Sequence, residues 1–212
     1  MRGTLKGTLC ATALIFALSV MATAQAGVHG KVVNPNKNSK VIFSNFVGNP
    51  PYDPSSGYFV DGPNFTNQIL AMAFTPKENI TFKNVVLPMA IYTDGGGVSR
   101  GRADVYLFTD GGGQPGTRLL GPLRPTGPIQ LFNNGSGGGL VGYFCKQCPG
   151  LHKDTTYWVV AQTTQPPVQL LWDFANSDMD TPFAFDQTGS LNGPWMIVDS
   201  GVIRVAMEVD GQ

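Results

Sequence analysis

The strongest constraint on this chain is a two-residue alternation that recurs between closely spaced turn formers. In residues 102–109, Ala103, Val105 and Leu107 fall on one face of an extended backbone and Asp104, Tyr106 and Phe108 on the other. Successive side chains of a strand point to opposite sides, so this pattern predicts a strand with one face in a core. Residues 203–209 repeat it, with Ile203, Val205, Met207 and Val209 on one side and Arg204 and Glu208 on the other. Further β-rich runs cover 41–43, 69–75, 80–93, 155–163, 168–174, 182–186 and 194–198, each bounded by Gly, Pro, Asn or Asp. With 27 Gly and 16 Pro, and no ten-residue stretch beyond residue 26 with a helical stripe, the chain reads as a single all-β domain. Eight to ten short strands at this spacing predict an antiparallel sandwich or a barrel.

Two connections are specific. Pro76-Lys77-Glu78-Asn79 is a good turn sequence, so residues 69–93 are expected to form a hairpin. Pro50-Pro51-Tyr52-Asp53-Pro54 is expected to be a loop that pairs on neither side, because proline cannot donate to a ladder. Asp94-Gly95-Gly96-Gly97 recurs as Asp110-Gly111-Gly112-Gly113, and both copies read as turns: Asp bonds its own backbone and glycine accepts positive φ. Neither copy continues into a calcium-binding nonapeptide repeat.

The N-terminus carries a different signal. Arg2 and Lys6 precede an apolar run over 11–21 that ends at Ala24-Gln25-Ala26, the charge, core and small-residue pattern of a secretory signal peptide over 1–26. The run is about half of what a bilayer span requires, and no later segment replaces it. Residues 27–39 (GVHGKVVNPNKNS) read as a flexible polar arm, leaving 40–212 as the sandwich domain. The expected location is therefore outside the cytoplasm, periplasmic or extracellular.

The remaining cysteines fit export. Cys145 and Cys148 form a C-x-x-C pair, most simply a disulfide in an oxidising compartment. A redox motif would place the first cysteine at the start of a helix, and Pro149-Gly150 followed by a strand oppose that. A zinc site would lack ligands, since His29 and His152 are the only histidines. Losing Arg2 and Lys6 makes a formally neutral chain slightly acidic. With Lys31, Lys37 and Lys40 as the longest basic group, nucleic acid is excluded as an expected partner.

No catalytic constellation stands out. There is no G-x-S-x-G elbow, His29 lies in the arm and His152 in a loop, so no serine triad is expected. Asp173, Asp178, Asp180 and Asp186 form the one carboxylate cluster in the sequence. As a glycosidase pair they lack any sign of the required separation, but Asp178 and Asp180, near Asn176, could hold calcium in a loop between strands. Trp158 and Trp172 lie in strands on apolar rows and are expected in a core. Trp195 follows Gly193-Pro194 at a strand start beside a loop, and is the candidate for ligand contact.

The order of features also resembles a known family. An apolar strand pair ends at Leu87-Pro88, a V-x-L-F-x-D strand covers Val105 to Asp110, and a G-x-P-G-T turn covers Gly113 to Thr117. A T-x-Y-W strand runs from Thr155 to Trp158, and Gly193-Pro194-Trp195 follows late. Over most of residues 67–209 these motifs are similar to those of the bacterial exported choice-of-anchor R domain. The resemblance implies a jelly-roll-like β-sandwich, usually with a C-terminal sorting anchor, and no catalytic residues. After Val209 only Asp210-Gly211-Gln212 remain, so release is expected rather than anchoring. The functional expectation is a secreted, non-enzymatic sandwich that binds an extracellular ligand such as glycan through end loops, with Trp195 and the 176–180 loop as the site. The alternative is a structural or adhesive envelope or matrix protein working through protein contacts; a hydrolase has the least support.

Overall fold

A computed structural model of the chain describes residues 39–92, 100–133, 136–166, 168–177, 181–198 and 202–212. The proposed leader and all but the last residue of the arm lie outside them. Among the described residues the regular elements are all strands. They are β1 (Lys40–Ser44), β2 (Tyr52–Asp61), β3 (Ile69–Phe74), β4 (Ile80–Tyr92), β5 (Asp104–Asp110), β6 (Pro115–Leu120), β7 (Arg124–Pro125) and β8 (Gln130–Asn133). Then come β9 (Ser136–Gly137), β10 (Gly139–Phe144), β11 (Gly150–Leu151), β12 (Tyr157–Gln162), β13 (Gln169–Ala175), β14 (Phe183–Asp186), β15 (Met196–Val198) and β16 (Glu208–Gly211).

The strands form two sheets packed as an all-β sandwich. The thirteen-residue strand β4 is the spine of the first. Along one side it pairs with β16 over Phe82–Val86 and then with β13 over Met89–Tyr92. Along the other side it pairs with β11, with β10 over Asn84–Met89, and with β8. The β4–β8 contact is parallel and every other pair is antiparallel. Strands β1 and β2 extend this sheet beyond β16 and β13. The second sheet runs β15-β14-β3-β12-β5-β6.

The alternating residues meet between the sheets. Val105 and Leu107 of β5, Val85 and Leu87 of β4, and Val205 and Val209 near the C-terminus lie in one fully buried cluster. Burying an aliphatic or aromatic side chain of this kind contributes about 1.5–3 kcal/mol. Trp172 sits in the same cluster and its indole Nε1 donates to the Ala206 carbonyl at 2.7 Å.

Three sequence expectations change. Residues 69–93 do not form a hairpin: β3 pairs with β12 and β14 in the second sheet, whereas β4 is the spine of the first. The 76–79 turn therefore carries the chain from one sheet to the other. Every residue of β3 is buried, as is every residue of β12, so a run apolar on both sides gave no periodicity from which to read its partner. Second, Tyr52 and Asp53 begin a strand rather than a loop, pairing with Ala175 and Phe174. Residues 54–56 bulge out between the Asp53 and Gly57 pairings, and β2 pairs with β13 alone, which is how Pro54 is tolerated. Third, the C-terminal ladder is regular only from Glu208; before it Ile203 is exposed, Arg204 is buried, and Val205 makes a single bridge to Phe174.

Candidate ligand face on the second sheet

A strand with one face in a core ordinarily leaves the other to solvent. Instead Tyr106, Phe108, Trp158, Val160, Ile69, Ala71 and Ala184 form a second buried cluster, against which Leu191 and Trp195 pack. The segment 187–195 thus covers the outer face of this sheet.

The cover is held by its own sequence. Asp186 ends β14, and its Oδ1 accepts bonds from the Thr188 amide (2.8 Å), the Thr188 hydroxyl (2.8 Å) and the Ser190 amide (3.2 Å). This is the Asx and Ser/Thr turn chemistry that the D-x-T-x-S spacing encodes. The Gln162 side chain donates to the Gly189 carbonyl at 3.0 Å, and the Asn67 side chain to the Thr188 carbonyl at 3.1 Å. Two glycines are obligatory. Gly189 has φ +75° and a Cβ there would lie 2.0 Å from Asn67 Nδ2; Gly193 has φ +82° and a Cβ there would lie 2.9 Å from Trp195 Cδ1. Trp195 itself is half-buried, and its Nε1 is enclosed with no hydrogen-bond partner. Met196 and Ile197, in the edge strand that follows, are exposed.

At the other edge of the sheet, Arg118 lies over the Tyr106 ring, 5.7 Å from its centroid. Trp158 is fully buried and its Nε1 donates to Asp110 Oδ1 at 2.8 Å. Asp110 also accepts from the Gly112 and Gly113 amides at 3.0 and 3.1 Å, so the second Asp-Gly-Gly-Gly copy is a turn that also satisfies a buried indole. Burial pushes the Asp110 carboxyl up, but the bonds from Trp158, Gly113 and Gly112 outweigh it and hold the group below the usual carboxylate range. Asp110→Ala is expected to cost about 1–3 kcal/mol by leaving a buried N–H unpaired, read as a lower urea midpoint. The same change at Asp154, an exposed residue in left-handed backbone (φ 55°), should cost less, because no buried donor depends on it. The first copy, 94–97, lies outside the described residues.

The acidic group of the sequence is split by the fold. Asp173 and Asp186 are both fully buried, but Asp173 belongs to the first sheet and Asp186 to the second. Asp178 and Asp180 lie outside the described residues. Nor does the fold join Trp195 to the start of the 176–180 loop. Asn176 donates to the Val47 and Pro50 carbonyls and Ser177 to the Asn45 carbonyl, beside the first sheet, whereas Trp195 packs on the second. Cys145 and Cys148 are bridged with Cα atoms 5.3 Å apart, closing the turn between β10 and β11. His152 is exposed, and its amide donates to the Tyr157 hydroxyl at 2.9 Å.

Asn67 and Gln162 were not singled out in the sequence, and Asp186 entered only as one of four acids; the two amides brace carbonyls 121 and 27 residues away. No family model, curated protein or solved structure matches this chain.

Proposed function

We propose that this protein is an exported, non-enzymatic β-sandwich that binds a glycan on the outer face of its second sheet, with Trp195 as the stacking surface. The observation that carries this reading is a partly exposed tryptophan on a segment pinned by Asp186, Gln162 and Asn67. Flat aromatic surface held rigidly before binding costs little ordering entropy. On this reading the site lies on a sheet face rather than in the end loops. Export is supported by the leader-like N-terminus and by the disulfide. Among the described residues no helix is long and apolar enough to cross a membrane.

The test is a glycan and polysaccharide screen, followed by titration of the best binder. Trp158 and Trp172 are fully buried, so a ligand-induced shift in tryptophan fluorescence should report Trp195. Trp195→Ala is expected to abolish that shift and weaken binding by at least about tenfold, the usual scale for a buried aromatic anchor. Absence of binding to any glycan, or undiminished binding by the variant, would reject this reading.

A second reading, an envelope or matrix protein acting through protein contacts, is favoured by one observation. Strand β15 is an edge whose Met196 and Ile197 are 41% and 39% exposed, and no charge or proline within it blunts the edge. Four other edge strands carry such a device: Lys40 and a bulge in β1, Pro54 and a bulge in β2, Arg118 and two bulges in β6, Pro125 in β7. On this reading Trp195→Ala leaves partner binding intact.

A further inference from the structure

The outer side of the first sheet carries an acidic patch. Val209 of β16 lies in the core between the sheets, so Glu208 and Asp210, its neighbours in the strand, project from the opposite face. The ladder sets them beside Val86 and Asn84 of β4, whose Val85 is likewise in the core. A direct contact agrees with this placement: the Asn84 side chain donates to Asp210 Oδ2 at 2.7 Å. On the other side of β16, Ser44 of β1 lies opposite Glu208 and Val41 opposite Asp210.

The patch is buried although the second sheet packs on the other face. Asp210 and Asn84 are each 1% exposed and Val86 is 3% exposed. Asn84 Oδ1 is enclosed with no hydrogen-bond partner among the described residues. Val86 belongs to none of the buried apolar clusters of the described residues. The cluster of Tyr52, Ala175 and Ala206 lies past the patch, since Phe46 follows β1, Ala206 precedes β16 and Leu140 pairs with Pro88. Two like charges, a buried valine and an unfilled carbonyl acceptor together call for a cover that brings cations, an N–H donor and apolar surface.

Residues 27–38 supply all three. Their sequence, GVHGKVVNPNKN, holds His29, Lys31 and Lys37 with no Asp or Glu, and Val32-Val33 between the lysines. The chain that follows them enters the sheet at the patch, with Lys40 opposite Gly211 and Val41 opposite Asp210. Fully extended, the segment would reach about 40 Å, whereas crossing from β1 over β16 to β4 takes about 10 Å. Lys40 itself is committed to Glu78.

We propose that residues 27–38 dock on the outer face of the first sheet as an intramolecular strap, with Lys31 and Lys37 set against Glu208 and Asp210 and Val32-Val33 over Val86. The segment that reads as a polar arm is then part of the domain. Burial and the Asp210 charge both push the Glu208 carboxyl above its usual range, and a cation placed there offsets both. The strap is independent of glycan binding at Trp195, which lies on the second sheet.

Carbodiimide cross-linking of the purified protein beginning at Gly27, with peptide mass spectrometry of the monomer, tests this, because the reagent joins an amine to a carboxylate in contact with it. The expected product links Lys31 or Lys37 to Glu208 within one chain, beside a Lys40–Glu78 link as internal control. Deleting residues 27–38 should lower the thermal midpoint by about 5 °C or more. A Lys31→Ala, Lys37→Ala double variant should lower it in the same direction, and a Lys146→Ala, Lys153→Ala double variant at two exposed positions should leave it unchanged. Should the deletion fail to fold, hydrogen exchange of the intact protein decides: amides of residues 31–38 should exchange at least about tenfold more slowly than in a free peptide. A Lys40–Glu78 link without any strap link, a midpoint indifferent to the deletion, or free-peptide exchange across the segment would overturn the proposal. Lysine links formed only between chains would overturn it too, and would make this face an interface between copies.

Discussion

Trp172→Ala should lower the unfolding free energy by about 3–5 kcal/mol, the range for truncating a large buried aromatic. Few sites in this chain combine so many terms. The ring is fully buried in the core between the sheets, and its strand pairs on both sides, with Tyr58 of β2 and Met89 of β4. Its Nε1 satisfies the Ala206 carbonyl at 2.7 Å, in the stretch just before β16 where the C-terminal ladder is irregular. Alanine would leave a cavity and free that carbonyl together. Trp172→Phe separates the two: most of the apolar volume stays, and the lost hydrogen bond should cost about 1 kcal/mol. Chemical denaturation of both variants checks this, since a typical domain has only about 5–15 kcal/mol to lose. A Trp172→Ala loss below that of Trp172→Phe would contradict the packing described here.

In the absence of divalent ions, the stability of this protein should fall as the pH rises from about 4 to 7.5, and Asp173→Asn should remove most of that fall. Burial pushes the Asp173 carboxyl well above the usual carboxylate range, and the Asp53 charge pushes it the same way. Below the unfolded value of about 3.9 both states are protonated and the group exerts no pH-dependent effect. Above it the unfolded chain releases its proton while the folded chain retains it, so stability is lost progressively up to the raised folded value. Asparagine cannot ionise, and its midpoint in chelator at pH 7.5 should exceed that of the wild type by about 5 °C or more. A residual slope of the same sign should remain, because burial also raises the Asp61 and Glu208 carboxyls. Tyr52, beside Asp173, is pushed up to about 12 by burial and then by the Asp173 charge, and stays neutral throughout this range. A wild-type midpoint that climbs between pH 4 and 7.5 in chelator would show that Asp173 is not buried as described.

Trp195 and Asp173 differ in how far the sequence discloses their surroundings. Gly193-Pro194 set Trp195 apart from the strand-borne Trp158 and Trp172, and both of those are fully buried whereas Trp195 is partly exposed. Asp173 was legible only as one of four nearby acids. Its alternation in β13 marked it as outward, and outward ordinarily means solvated. What made it buried is the close cover over the outer side of the first sheet, where Tyr52, Ala175 and Ala206 form a further buried cluster with Phe46 and Leu140 packed against it.

By itself the sequence determined the class of fold, most of the strands and the inward rows of 105–107 and 205–209, because side-chain alternation and turn chemistry are local properties of the chain. It also pointed to the Cys145–Cys148 bridge, since these are the two cysteines beyond the leader-like segment and they lie three residues apart. Only the tertiary structure decided which strands are partners. The 76–79 turn is equally compatible with a hairpin and with a crossing between sheets, and the choice fell to β4, long enough to pair with five other strands. The tertiary structure also decided that the outer faces are covered, that Asp173 and Asp186 lie in different sheets, and that a proline-rich stretch pairs at an edge. A strand's pattern states which of its faces is apolar; what lies against that face is set by segments tens of residues away, through contacts that leave no periodic mark on either sequence.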